Sequence, residues 1–188
     1  MHDLWLAFEM EDNTLYLLSN QLGTRKTSEE ERLWLEYLIS KGRDISTEWN
    51  SPYGQESVVG NYFPDGIEKL SDGSVRLYEF LGCVVHNHHG YDPSAECPAS
   101  SKFGPTDRAP FGTTMEKAAQ ATKKKFDTYD KHGFSYVCMW ECKFKQLKKE
   151  SEDLKQFLAS YENPAERLRL RTALRGKCVK KSMYSLTL

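Results

Sequence analysis

Apolar positions along the chain repeat with the period of a helix in some stretches and of a strand in others. Leu33, Trp34, Tyr37 and Leu38 fall on one helical face. Thr27-Ser28 before Glu29-Glu30-Glu31 offers a hydroxyl cap and acids for the positive helix end, and Gly42 offers a stop. The pattern therefore predicts a helix near 28–41. Ile45–Trp49 reads as a short strand, 50–54 as a turn, and Val58–Phe63 as a strand ending at Pro64-Asp65-Gly66. A hairpin-type turn at Ser71-Asp72-Gly73 precedes a strand over Val75–Val85. The stretch 90–112, full of Pro, Ser and Gly, reads as loop. Met115–Lys131 has helical spacing and ends at His132-Gly133. Phe134–Trp140 reads as a buried strand, and Leu147–Tyr161 as an amphipathic helix that Pro164 breaks. Residues 1–20 mix apolar and acidic positions, with a strand or short helix at Thr14–Leu18. Helix, strands, helix, strand, helix is the order of a mixed α/β sandwich, with a strand-helix-strand crossover near 75–140.

Composition narrows the classes of function. The 188 residues are 39% hydrophobic and 12% aromatic, enough for a real core and against wholesale disorder. No run of about 18 apolar residues exists, so no membrane span is expected. A net charge of -1 excludes a uniformly basic nucleic-acid binder but leaves room for a local basic face. Arg167 to Lys181 is such a stretch, with lysines and arginines and no acid, suited to phosphate contact. The N-terminus lacks a basic segment followed by an apolar one, so an intracellular setting, nucleus or cytoplasm, is expected rather than secretion. There the five cysteines would stay reduced, which directs attention to metal rather than disulfides.

Two constellations carry chemistry. Asp65 closes one predicted strand and Glu79 sits in the next, so the two carboxylates can converge on one sheet edge. Hard oxygen ligands of this kind suit Mg²⁺, which can polarise a phosphodiester. Glu56 is a third acid nearby. The spacing Asp65-(x13)-Glu79-Phe80-Leu81 echoes the PD-(D/E)xK pattern, with Leu81 where that pattern has Lys. The plainer alternative is a turn aspartate and an exposed strand glutamate. The second constellation is Cys83-(x4)-His88-(x8)-Cys97, with Cys142 further on. Thiolates and imidazole are zinc's preferred ligands, and four of them close a structural site. Here the alternative is buried cysteines at strand ends and histidines on a wet loop. Cys138 reads as packing and Cys178 as a plain thiol. His86-Asn87-His88 also allows a ββα-metal nuclease, but that class spreads its residues over a larger unit.

Asp65-Gly66, then Tyr78-Glu79-Phe80-Leu81-Gly82-Cys83-Val84-Val85-His86, then Trp140-Glu141-Cys142 follow one another in order. With Trp34-Leu35 and Gly54-Gln55-Glu56 ahead of them, they resemble the very-short-patch-repair (Vsr-like) endonuclease family. The likeness is strongest to the Vsr-like domain upstream of the palm in type-B DNA polymerases of Polinton/Maverick-type elements and related viruses. It spans about 27–145, leaving 1–26 as an N-terminal extension and 146–188 as a helix and basic tail. Leu170–Gly176 resembles a degraded entry into the palm.

The resemblance implies a restriction-endonuclease-like mixed sheet flanked by helices, with structural zinc. It implies a DNA endonuclease dependent on Mg²⁺ or Mn²⁺, working beside other replication or recombination proteins. Asp65 and Glu79 would hold the catalytic metal, and His86 would act as base or orient water. Cys83, His88, Cys97 and Cys142 would hold zinc, with His89 as substitute. Glu56, and Glu30 or Glu31, would assist through water. Two departures matter: Leu81 lacks a polar group, and Val84-Val85 replaces aromatics that wedge into DNA. Any distortion of DNA would then fall to Tyr91, Phe103 or Phe111. The departures also favour an alternative, a catalytically weak or inactive zinc-stabilised module for DNA binding or partner docking.

Overall fold

The structure, a computed structural model, describes residues 27–50 and 62–161, and the backbone alone of 8–10, 13–17 and 57–58. The chain divides into two compact units between Ser151 and Glu152. The first unit holds β1 (Phe8–Met10), β2 (Asn13–Leu17), α1 (Glu29–Ser40), β3 (Ile45–Ser46) and β4 (Ser57–Val58). It continues through β5 (Gly66–Lys69), β6 (Val75–Leu81), α2 (His88–Tyr91), a 3-10 turn (Pro110–Gly112), α3 (Met115–Lys131), β7 (Ser135–Trp140) and α4 (Glu141–Glu150). The second unit holds α5 (Glu152–Ser160). No helix among the described residues is long and apolar enough to cross a membrane.

The core is a four-stranded mixed sheet in the order β3-β5-β6-β7. β5 runs antiparallel to β3 and β6, while β7 runs parallel to β6, with α3 as the crossover. β6 has a neighbour on each side and helices over both faces, so six of its seven residues are buried. Period-two alternation divides them. Tyr78 and Phe80 face α1 and α4, where Trp34 lies 6.0 and 6.1 Å from their rings and Phe144 5.7 Å from Phe80. Leu77, Glu79 and Leu81 face α3, beside Phe126 and Tyr129. A separate three-stranded sheet has the order β1-β2-β4.

The helix pattern holds where caps define it. Ser28 and Glu31 form a reciprocal capping box on α1, and Thr114 caps α3, which has the predicted bounds. Strand expectations need more correction. Of the stretch Val58–Phe63, Val58 ends β4 in the smaller sheet, and Asp65 leads into a strand instead of closing one. Gly66 is there for close approach: a Cβ would lie 2.6 Å from Ile45 Cγ2. The strand from Ile45 stops at Ser46, because Asn50 and Thr47 side chains take over the local backbone groups. β6 ends at Leu81, four residues before Val85, where the chain turns so that His86 N–H reaches Gly82 O.

β7 is the edge strand of the sheet, which is why Ser135, Val137 and Cys138 are exposed; neither a fully buried strand nor a packed Cys138 results. The helix expected at Leu147–Tyr161 is two helices. α4 follows β7 without a loop, and Ser151, extended at ψ 112°, ends it. Glu30 on α1 pairs with Lys148 on α4 at 2.7 Å, and Glu31 is spent on its cap.

Phe144 has no exposed surface and anchors α4 to Phe80. Replacing it with alanine should cost about 3–5 kcal/mol in urea unfolding. A cost below about 1 kcal/mol would show that α4 is not part of the core.

Candidate metal centre and carboxylate site

The C-terminal ends of the parallel pair β6 and β7 bring Cys83 and Cys142 together. His88 comes from α2, and Cys97 from the loop beyond it. Their four ligand atoms all lie within 4.8 Å of one another. His88 Nδ1 is 3.3 Å from Cys142 Sγ and 3.8 Å from Cys83 Sγ. A tetrahedral zinc with ordinary bond lengths sets S···N near ~3.6 Å and S···S near ~3.8 Å. The donor set and its spacing therefore fit zinc.

Surrounding groups hold the ligands in place. Trp140 stacks on the His88 ring at 3.9 Å and 7°. Cys142 N–H donates to Cys83 Sγ at 3.3 Å, and Glu141 Oε2 accepts from Cys83 N–H at 3.2 Å. Asn87 holds a left-handed backbone (φ 47°), accepts from Gly90 N–H and donates to Met115 O, pinning α2 to α3. Gly90 is required because a Cβ would lie 2.1 Å from Asn87 Nδ2. Burial pushes the Cys83 and Cys142 thiols up and His88 down. At Cys97 burial also acts upward and is the largest single cause, but hydrogen bonds from Ser100, Cys83 and Ala99 together outweigh it and the net is a lowered pKa. Without metal this is an expensive place for thiolates; zinc would supply the missing positive charge. His89 is not in the set. It turns its Nδ1 to Ala95 O at 3.4 Å and its N–H to Ser100 Oγ.

The carboxylates lie on the α3 side of the sheet. Gly66 pairs with Tyr78, and one further step of that register sets Asp65 opposite Glu79. Asp65 is buried, and its Oδ2 accepts from Phe80 N–H at 2.5 Å. Glu79 is 1% exposed. Tyr129 OH donates to its Oε1 at 2.5 Å, and Lys125 forms an ion pair with its Oε2. Burial, then the charge of Asp65, push Glu79 up to about 7, although Lys125 and Tyr129 pull the other way. These are neither a turn aspartate nor an exposed strand glutamate. They are two buried carboxylates close enough to repel, a place where a cation is favoured.

His86 meets the helix that also carries the partners of Glu79. Its Nδ1 is 3.2 Å from Thr122 Oγ1, one turn of α3 before Lys125. Thr122 hydroxyl donates to carbonyls, with Ala118 O at 3.0 Å and His86 O at 3.3 Å. When the hydroxyl proton goes to either carbonyl, His86 Nδ1 is the donor to Thr122 Oγ1 and Nε2 is the basic nitrogen; the other tautomer reverses these roles. Glu56 lies outside the described residues. Leu81 is fully buried, and the 111 ring is 92% exposed on a left-handed backbone (φ 65°) at Phe111. Lys125, Thr122 and Tyr129 escaped the sequence reading. The available signal was a lysine in register with Thr122, Phe126 and Tyr129 on the buried stripe of α3.

The described residues thus define a mixed α/β protein with a Cys3His cluster able to hold a metal such as zinc, and with a buried carboxylate pair on the same sheet. Comparisons with family models, curated proteins and solved structures gave no match.

The purified chain should carry one zinc per molecule by elemental analysis. Cys97→Ser should lose it, together with about 4 kcal/mol or more of stability. In a chain of this size that is a fall of roughly 10 °C in Tm. Full stability in a metal-free wild type would show that the cluster is not a structural site.

Proposed function

We propose that this chain is a DNA endonuclease dependent on Mg²⁺ or Mn²⁺, with a restriction-endonuclease-like fold, structural zinc and kinship to Vsr-like domains. The observation that carries the reading is the meeting of Asp65, Glu79 and Lys125 on one side of the sheet. Asp65 and Glu79 would hold the divalent ion. Such an ion polarises a phosphodiester and lowers the pKa of water. Lys125 supplies from α3 the positive charge that Leu81 cannot supply from β6, steadying Glu79 as a carboxylate and countering charge on the phosphate. His86, oriented by Thr122, takes a proton at Nε2. Lys117, Lys123 and Lys124, all exposed on α3, offer phosphate contacts.

A second reading has its own observation. Both Glu79 oxygens already have partners, one in Tyr129 and one in Lys125. A site filled from within favours a zinc-stabilised DNA-binding module that does not cut.

Supercoiled plasmid with Mg²⁺ or Mn²⁺ separates the two. The wild type should nick it. Asp65→Asn, which keeps an acceptor for Phe80 N–H but removes the charge, should lower the rate by about 10²-fold or more. Lys125→Ala should lower it by about 10²-fold. DNA binding without any nicking, by folded and zinc-loaded protein, would establish the binding module.

A further inference from the structure

We propose that the cavity between α2, the loop at 101–105 and the first half of α3 receives one unpaired base of the bound DNA strand. This rests on the DNA-directed reading above, and it names a recognition site separate from the carboxylates. The cavity measures about 500 Å³, within the range of small-ligand sites. Its walls are Tyr91 and Phe103, and its polar groups come from His89, Glu116, Gln120 and Lys123.

Aromatic walls with a polar edge and a cationic rim match the parts of a nucleotide. Bases stack on aromatic rings whatever their sequence. The edge of a base meets donors and acceptors, here the Gln120 amide and the Glu116 carboxylate, themselves bonded at 3.2 Å. A phosphate meets lysine. Lys123 lines the opening, and Lys102 Nζ lies 5.3 Å from the Phe103 ring centroid. The walls are already braced. Tyr91 contacts Trp140 at 5.7 Å and Phe126 at 5.9 Å, and Phe103 packs on Ala109, Met115 and Ala118. A pocket set before binding loses less on ordering.

Position sets the cavity apart from the carboxylates. Glu116, Ala119, Gln120 and Lys123 share one side of α3, whereas Lys125 lies five residues and about 140° round from Gln120. The base the cavity receives therefore belongs to a strand passing over that side of the helix. Entry requires that base to leave the stack, which is easiest when it is mismatched, bulged or single-stranded.

The test compares two duplexes by fluorescence anisotropy, one fully paired and one with a single-nucleotide bulge, at fixed salt and without Mg²⁺. Wild type should prefer the bulge at least ~10-fold. Gln120→Trp, which plugs the cavity from an exposed position, should bring the ratio below about threefold, as should Phe103→Ala, which removes a wall. Zinc content and circular dichroism report folding of both variants. Equal affinity of wild type for the two duplexes, or a preference that survives both variants, overturns the pocket and leaves the nuclease reading standing. A preference that both variants abolish, in a protein that never nicks plasmid, supports the pocket and removes the nuclease. Failure to bind either duplex overturns both.

Discussion

Everything around the site hangs on the junction at which Cys83 and Cys142 meet. β6 and β7 are parallel neighbours, so their C-terminal ends lie side by side only after α3 has crossed between them. Cys83 and Cys142 are 59 residues apart in sequence. A metal shared by them would close that crossover, and His88 and Cys97 would tie the 83–100 excursion to the same point. The excursion has little regular structure, and α2 is four residues long. Its order comes from the Trp140 stack and Asn87, to which a shared metal would add, not from helix propensity.

The two faces of β6 are used differently. On one, Tyr78 and Phe80 meet Trp34 and Phe144, and the energy is that of ordinary aromatic packing. On the other, Glu79 replaces an apolar residue between Leu77 and Leu81. A buried glutamate is costly there, and its ion pair with Lys125 returns little net stability. Apolar residues at both positions would hold the sheet as well or better. Stability alone does not account for Glu79, which is why the carboxylates bear the weight of the functional proposal.

Part of this was legible in the sequence. Metal ligands are few in kind, so Cys83, His88, Cys97 and Cys142 could be grouped before their geometry was known. Ser28 with Glu31, and the long stripe of α3, are local signals that packing leaves intact. Elsewhere tertiary context decided. The apolar run of β7 looks interior, but whether such a run is central or at an edge depends on how many neighbours it has. Asp65-Gly66 looks like a turn, although Gly66 is small to admit Ile45. Lys125 was hidden in a run with Lys123 and Lys124, two exposed neighbours, and its register with the buried stripe of α3 is a faint signal. The opposing carboxylate makes the distinction plain.

That carboxylate also sets the order of features along α3. From its C-terminal half the buried face presents Tyr129 and Lys125 to Glu79, then Thr122 to His86, then Ala119 to the cavity. A rigid helix keeps these spacings fixed, since each residue advances ~1.5 Å. Its ends are held independently, by the Thr114 cap and Asn87 at one end and by the aromatic cluster of Phe126, Tyr129 and Tyr136 at the other. α3 is therefore more than the connection between two parallel strands. It is the ruler along which the proposed cutting site and the proposed base pocket are set, and Asn87, next to the Cys3His cluster, ties that ruler to α2.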